Sequence, residues 1–302
     1  LLFGGVDAAG NSNLWVSDGT SAGTSELSIA GAMPTGLAPQ DITVFGNEVL
    51  FSGNDSSNHN NLLVTDGTAA GTSELQVAGT FPPGLFPQDL TPFGNNVLFN
   101  GVDQSGSSNL WVTDGTGAGT SELSVAGASP DGLNPLGITV LGNKALFEGV
   151  DASGQTNLWV TDGTAAGTSE LPVANAYSGG LNPFDLTVLG NEVFFEGEDS
   201  TGQYGLWETN GTSAGTSELS IGAPGYNIYL TSNGKDVFFN GNYNLWATDG
   251  TSAGTSELLA AGAAPLLNPT YMTSVAFPVS AATSTLVATP GSVTADGVST
   301  TT

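Results

Sequence analysis

"NLWVTDGTAAGTSEL" runs from Asn157 to Leu171, and five near-copies stand elsewhere in the chain, beginning at Asn13, Asn61, Asn109, Gly205 and Asn244. The third position of the phrase is Trp15, Leu63, Trp111, Trp159, Trp207 and Trp246, so four steps are 48 residues and the last is 39. Each unit contains four short runs rich in Val, Leu, Ile, Phe, Trp and Thr, parted by Gly, Asn, Asp and Pro. In the second unit they are "DITVF" from Asp41, "NEVLFSG" from Asn47, "NLLVTDG" from Asn61 and "TSELQVA" from Thr72. No stretch keeps a helical period. Four antiparallel strands per unit of this length predict the blade of an all-β propeller, here with six blades.

Side chains alternate along a strand. Leu158 and Val160 should therefore face one neighbouring blade and Trp159 the other. "DGT..GT" joins two sequential strands. Gly accepts positive φ there, and the Asp carboxylate can bond the amides just ahead. Asp18, Asp66, Asp114, Asp162 and Asp249 are read as turn closers, with Asn210 in the fifth unit. Six cation or sugar sites at these turns are the other reading. Glu26, Glu74, Glu122, Glu170, Glu218 and Glu257 recur at equivalent places, which points to a structural role.

The ends of the repeat suggest how the ring closes. "LLFGGVD" at Leu1 aligns with "VLFSGND" at Val49, so the first unit lacks its first strand. After the last copy, Leu266 to Phe277 aligns with "GLNPFDLTVLG" at Gly180. The segment Tyr271 to Phe277 is expected to complete the N-terminal blade and to hide sheet edges that would otherwise aggregate. The propeller is placed at residues 1–279. Residues 280–302 are read as a Ser/Thr-rich linker or as the first strands of another domain. A start in mid-strand without Met suggests a piece of a longer, multidomain chain.

The chain has 302 residues, 28 acidic side chains and two basic ones, Lys144 and Lys235, for a net charge of −26. Such a surface repels nucleic acid and anionic membranes. No apolar run approaches the ~20 residues of a membrane helix, so no membrane insertion is expected. There is no cysteine, hence no disulfide and no thiolate metal site.

The six copies resemble the "ELWxxDGTxxGT" repeat of bacterial secreted and surface proteins, with Asn or Gly where that family often has Glu. The resemblance covers about Leu1 to Phe277 and implies an extracellular propeller without implying an activity. "LVATPGSVTADGVSTTT", Leu286 to Thr302, is similar to the opening of bacterial immunoglobulin-like domains of the invasin type. That implies a place in a large surface adhesin.

Catalytic residues are scarce. Arginine is absent, His59 is the single histidine, in the loop "NDSSNHNN", and nothing marks a nucleophile with its base. The chain is therefore expected not to be an enzyme. The loop between second and third strands carries Asp7, Asp55, Asp103, Asp151 and Asp199. Four of them continue as "DxxG". These Asp residues either close the loop or hold calcium as a cofactor.

Symmetry breaks in one sector. All six tyrosines lie in the last part of the ring, where two connections are also shortened. Tyr177, Tyr204, Tyr226 and Tyr243 fall in connections of a single face and are the expected ligand-binding residues, since rings can stack on sugar C–H faces beside Asn and Asp. The expected function is an extracellular, carbohydrate-binding (lectin-like) module of a bacterial adhesin with a cell-surface glycan as partner. The alternative is a structural spacer or self-associating module of a surface layer or filament. Deleting residues 266–302 should leave a sheet edge open. Loss of the cooperative melt or aggregation is expected, and a truncated chain that melts normally as a monomer would refute closure.

Overall fold

The computed structural model describes residues 1–221, 229–258, 267–269 and 272–274. They form six antiparallel sheets, each ordered as in the chain. The first has three strands, Leu2–Val6, Ser12–Val16 and Ser25–Glu26, and the other five have four each. Blade four is typical: Leu136–Leu141, Lys144–Val150, Thr156–Thr161 and Ser169–Glu170. First strands of successive blades contact one another, so they are innermost. This is a six-bladed β-propeller, as the repeat predicts. Among the described residues the first blade has no first strand, and the segment expected to supply it lies outside them except for 272–274. Those three residues share a cavity of about 340 Å³ with Thr231, Asn233 and Phe238 of blade six.

The blades are held by a packing pattern written in the repeat. Leu98, Leu110 and Leu123 of blade three meet Phe147 and Trp159 of blade four. Leu146, Leu158 and Leu171 of blade four meet Phe195 and Trp207 of blade five. The same arrangement joins blades two and three, and five and six. Leu of "NLW" thus faces the next blade and Trp the preceding one. Trp111, Trp159 and Trp207 are at most 1% exposed, and each stacks on a Phe of its own blade at 6.3–6.5 Å. Their indole nitrogens donate to Gly101, Gly149 and Gly197 carbonyls at 3.0 Å. Burying a Trp removes ~150–250 Å² from water, so these rings are large contributors to cohesion.

Around the axis, polar ties link the inner strands. The Asp89 amide donates to Asp41 Oδ2 at 2.8 Å, and the Ile138 amide to Asp89 Oδ2 at 2.7 Å. Asp185 accepts in the same way from the Leu230 amide. Asp41, Asp89 and Asp185 carry φ of 51°, 58° and 55°, and Gly137 takes that place in blade four at 64°. Hydroxyls of Thr43, Thr91 and Thr139 donate to the carbonyls of Leu90, Ile138 and Leu186 on the following strand.

The repeated turn explains its own spelling. In blade four the Thr164 amide and hydroxyl donate to Asp162 Oδ1 at 2.9 and 2.7 Å. The Gly167 amide donates to the Thr164 hydroxyl at 3.0 Å. Buried Thr161 and Thr168 share a hydroxyl hydrogen bond at 2.7 Å. A Cβ on Gly167 would lie 2.0 Å from Asp162 Oδ1, which is why "DGTxxGT" needs its second Gly. Asn210 builds the same turn, receiving the Thr212 amide and hydroxyl. The Asp residues of the phrase close turns, as read from the sequence.

Gly167→Ala should cost on the order of 2 kcal/mol in urea unfolding. Adding Asp162→Ala removes the clashing carboxylate. The double variant should lose much less than the sum of the two singles. Simple additivity would reject this account of the second Gly.

Candidate functional site

Two connections of each blade gather on one face of the ring: the link between second and third strands, and the link from the fourth strand onward. Backbone bridges join them, from Ala32 to Asp55, Thr80 to Asp103, Ala128 to Asp151 and Ala176 to Asp199. Within the first link the Asp carboxylate accepts amides two and four residues ahead. Asp7 takes Ala9 and Asn11, both at 2.8 Å, and Asp55 takes Ser57 and His59 at 2.8 and 2.9 Å. Asp103, Asp151 and Asp199 repeat the pattern. The five residues sit in five different blades. Among the described residues no group of three or more His, Cys, Asp or Glu could hold a metal ion. Each loop thus offers one Asp carboxylate, whose Oδ1 is engaged in closing the loop.

The Glu of the fourth strand lies beside that loop. Asn13 and Asn61 donate through Nδ2 to Glu26 and Glu74 at 2.8 and 3.0 Å. Their Oδ1 atoms accept the amides of Leu37 and Leu85 on the way to the next blade, as Asn109 and Asn157 do from Leu133 and Leu181. The first letter of "NLW" is therefore an inter-blade tie, a role the sequence reading did not assign. Burial, then the neighbouring loop Asp, pushes the carboxyl groups of Glu74, Glu122, Glu170 and Glu218 above their usual range. In blade two, His59 Nδ1 stands 3.5 Å from Asp55 Oδ2. Asp55, His59, Glu74, Gln76, Thr80 and Phe81 wall a cleft of about 180 Å³ there. His59 thus stands beside Asp55 at the edge of a cleft.

The tyrosines divide. Tyr177 is 41% exposed, and its ring lies 3.6 Å from where a Cβ on Gly202 would stand. Tyr204 is half-buried and pairs with Glu198 at the start of the third strand of blade five. Tyr177 and Tyr204 therefore flank one loop. Tyr243 is 61% exposed, in the two-residue turn of blade six, where Asn242 and Tyr243 have φ of 51° and 65°. Tyr226 lies outside the described residues. Phe81 occupies in blade three the place of Tyr177, with its ring against Gly106, so an aromatic ring there is not confined to the tyrosine sector. The face also carries Phe86 and Phe184, 37% and 56% exposed, of which Phe184 was not among the candidate residues. The signal for Phe184 was available, since Gln40 and Gln88 stand at its place in blades two and three.

No protein-family model and no curated protein matches the chain, so both family resemblances rest on the quoted motifs alone. Among solved structures the chain is similar to a puromycin-hydrolysing peptidase of Mycobacterium tuberculosis, with TM-score 0.54, 15% identity, 88% of this chain and 45% of that one. A second similarity is to a puromycin hydrolase variant complexed with PGG, with TM-score 0.53, 15% identity, 85% of this chain and 44% of that one. A third is to TolB from Acinetobacter baumannii, with TM-score 0.41, 11% identity, 85% of this chain and 63% of that one. The chain spans less than half of the length of the two hydrolases. At such identity the likeness shows the propeller fold alone. It nevertheless corrects the expectation that the chain is not an enzyme. A propeller of this kind can stand in a peptidase, so a shortage of nucleophile–base pairs does not exclude one. No helix of the described residues is long and apolar enough to cross a membrane.

Two sets of carboxylates predict the pH profile. Hydrogen bonds from the Thr side chains hold Asp18, Asp66, Asp114, Asp162 and Asp249 below their usual range. Their contribution is present above the unfolded pKa and is lost as pH falls through the folded one. The raised Glu set acts oppositely: its cost at neutral pH disappears as pH falls through the raised pKa. The melting temperature should therefore rise from pH 7 to about pH 5 and fall below about pH 4. Glu170→Gln should shrink the rise. A monotonic fall from pH 7 in the parent protein would contradict this assignment.

Proposed function

We propose that the ring is an extracellular carbohydrate-binding module of a bacterial surface adhesin, with a cell-surface glycan as its partner. The supporting observation is that Phe86, Tyr177, Phe184 and Tyr243 are exposed on a single face of a rigid ring. Exposed rings on connections held by a scaffold are candidates for recognition. Sugars suit them because flat rings cover C–H faces while neighbouring Asn and Asp groups bond hydroxyls. The charge of −26 favours neutral partners over anionic ones. The resemblance to secreted and surface repeats supports the location.

A glycan array with the purified chain tests the reading. Retention of a defined set of neutral glycans is expected. Of Phe86→Ala, Tyr177→Ala, Phe184→Ala and Tyr243→Ala, at least one should weaken that binding by about 1 kcal/mol or more while leaving the melt nearly unchanged. If no glycan is retained and mass rises with concentration, the ring is a self-associating spacer instead.

A further inference from the structure

Between blades two and three the same face opens into a groove of about 480 Å³, lined by Ala38, Gln40, Ser52, Asn54, Asn58, Asn60, Pro83, Phe86, Pro87 and Gln88. That volume is in the range of ligand clefts. The lining has five carboxamides, one aromatic ring, two prolines and no charged side chain, in a protein whose charge is −26.

This lining departs from the repeat. At the place of Asn54, blades one, three and four have Val6, Val102 and Val150. At the place of Asn58 they and blade five have Gly10, Gly106, Gly154 and Gly202, with φ of 89°, 90°, 78° and 78°. Asn58 keeps that left-handed backbone at φ 64° although it carries a side chain. At the place of Phe86 stand Ala38, Asn134, Asn182 and Asn268, all left-handed. Asn tolerates φ near 50° and a bulky ring does not, so Phe86 at φ 50° is a strained choice. Its backbone is held there by its amide, which donates to the Asn60 carbonyl at 3.0 Å. Asn60 Nδ2 in turn donates to Asn54 Oδ1 at 3.0 Å. A bulky exposed ring on left-handed backbone, where sister blades carry Ala or Asn, is the kind of outlier that points to a function.

We infer that this groove is the saccharide site of the ring and that it takes a neutral oligosaccharide. Each carboxamide offers both an acceptor and donors, matching hydroxyls that are themselves both. The Phe86 ring supplies a flat apolar platform, and Pro83 and Pro87 give stiff walls. A sialylated or uronic acid residue gains no cation here. The inference rests on the proposed carbohydrate-binding reading and places the specific contacts two blades away from the tyrosine sector.

The test uses the full chain and a panel of neutral di- and trisaccharides of glucose, galactose, mannose and N-acetylglucosamine, with sialyllactose as the acidic comparison. Affinity is read by calorimetry and folding by thermal melting. Phe86→Asn, Asn58→Gly and Asn54→Val each restore the residue of sister blades, so the melt should stay level or rise. Binding of the neutral sugar should fall roughly tenfold in each, with Tyr177→Ala and Tyr243→Ala close to the parent. If only the tyrosine variants lose binding, or sialyllactose binds best, the groove assignment is overturned and the carbohydrate reading stands. If the parent binds no saccharide, that reading fails and takes the groove with it.

Discussion

Trp111, Trp159 and Trp207 each lie on a Phe of their own blade and press against the Leu residues of the preceding one. A four-stranded sheet with two apolar faces has no stable existence alone, because each face needs a partner of the same shape. In blades two to five both faces are covered by neighbouring blades, and that covering makes a string of sheets into a ring. Everything else follows from it. The 48-residue period keeps one Leu set and one Trp–Phe set in register at the junctions from blade two to blade five. The Asn of "NLW" and the inner Asp residues then lock each blade to the chain entering the next.

The turn phrase "DGTxxGT" is a closed hydrogen-bonding unit, and its carboxylate is consumed by the turn. The same holds for the Asp of the second link, whose Oδ1 receives two amides. Repetition of each carboxylate in five blades therefore reflects a backbone problem repeated from blade to blade. Only departures from the repeat are available to carry recognition. These are the exposed rings and, in blade two, the run of carboxamides with Asn58 at a Gly position.

The likeness to puromycin hydrolases is one of fold. It shows a shared scaffold at 15% identity and says nothing of shared residues. A rigid ring with one decorated face can present a ligand or accompany a catalytic part. Carboxylates crowd the face of this ring, and burial raises several of them.

Blade number, strand order, turn closure and the placing of Leu and Trp on opposite faces of a blade were legible in the sequence, because each depends on spacing within one repeated unit. The tyrosine sector was legible as a break in composition, and the two 48-residue periods between Phe81 and Tyr177 already made those places equivalent, yet spacing did not reveal that Tyr204 is half-buried. The loss of Gly at Asn58 was visible in "DSSN", but its meaning was not. Whether Asn54, Asn58, Asn60 and Phe86 meet depends on how the end of one blade is laid against the entry to the next, a distance set by inter-blade packing. Local sequence pattern determines strands and turns through short-range sterics and hydrogen bonds. Which departures from the pattern share a groove is decided only when buried Trp and Leu faces bring separate blades together.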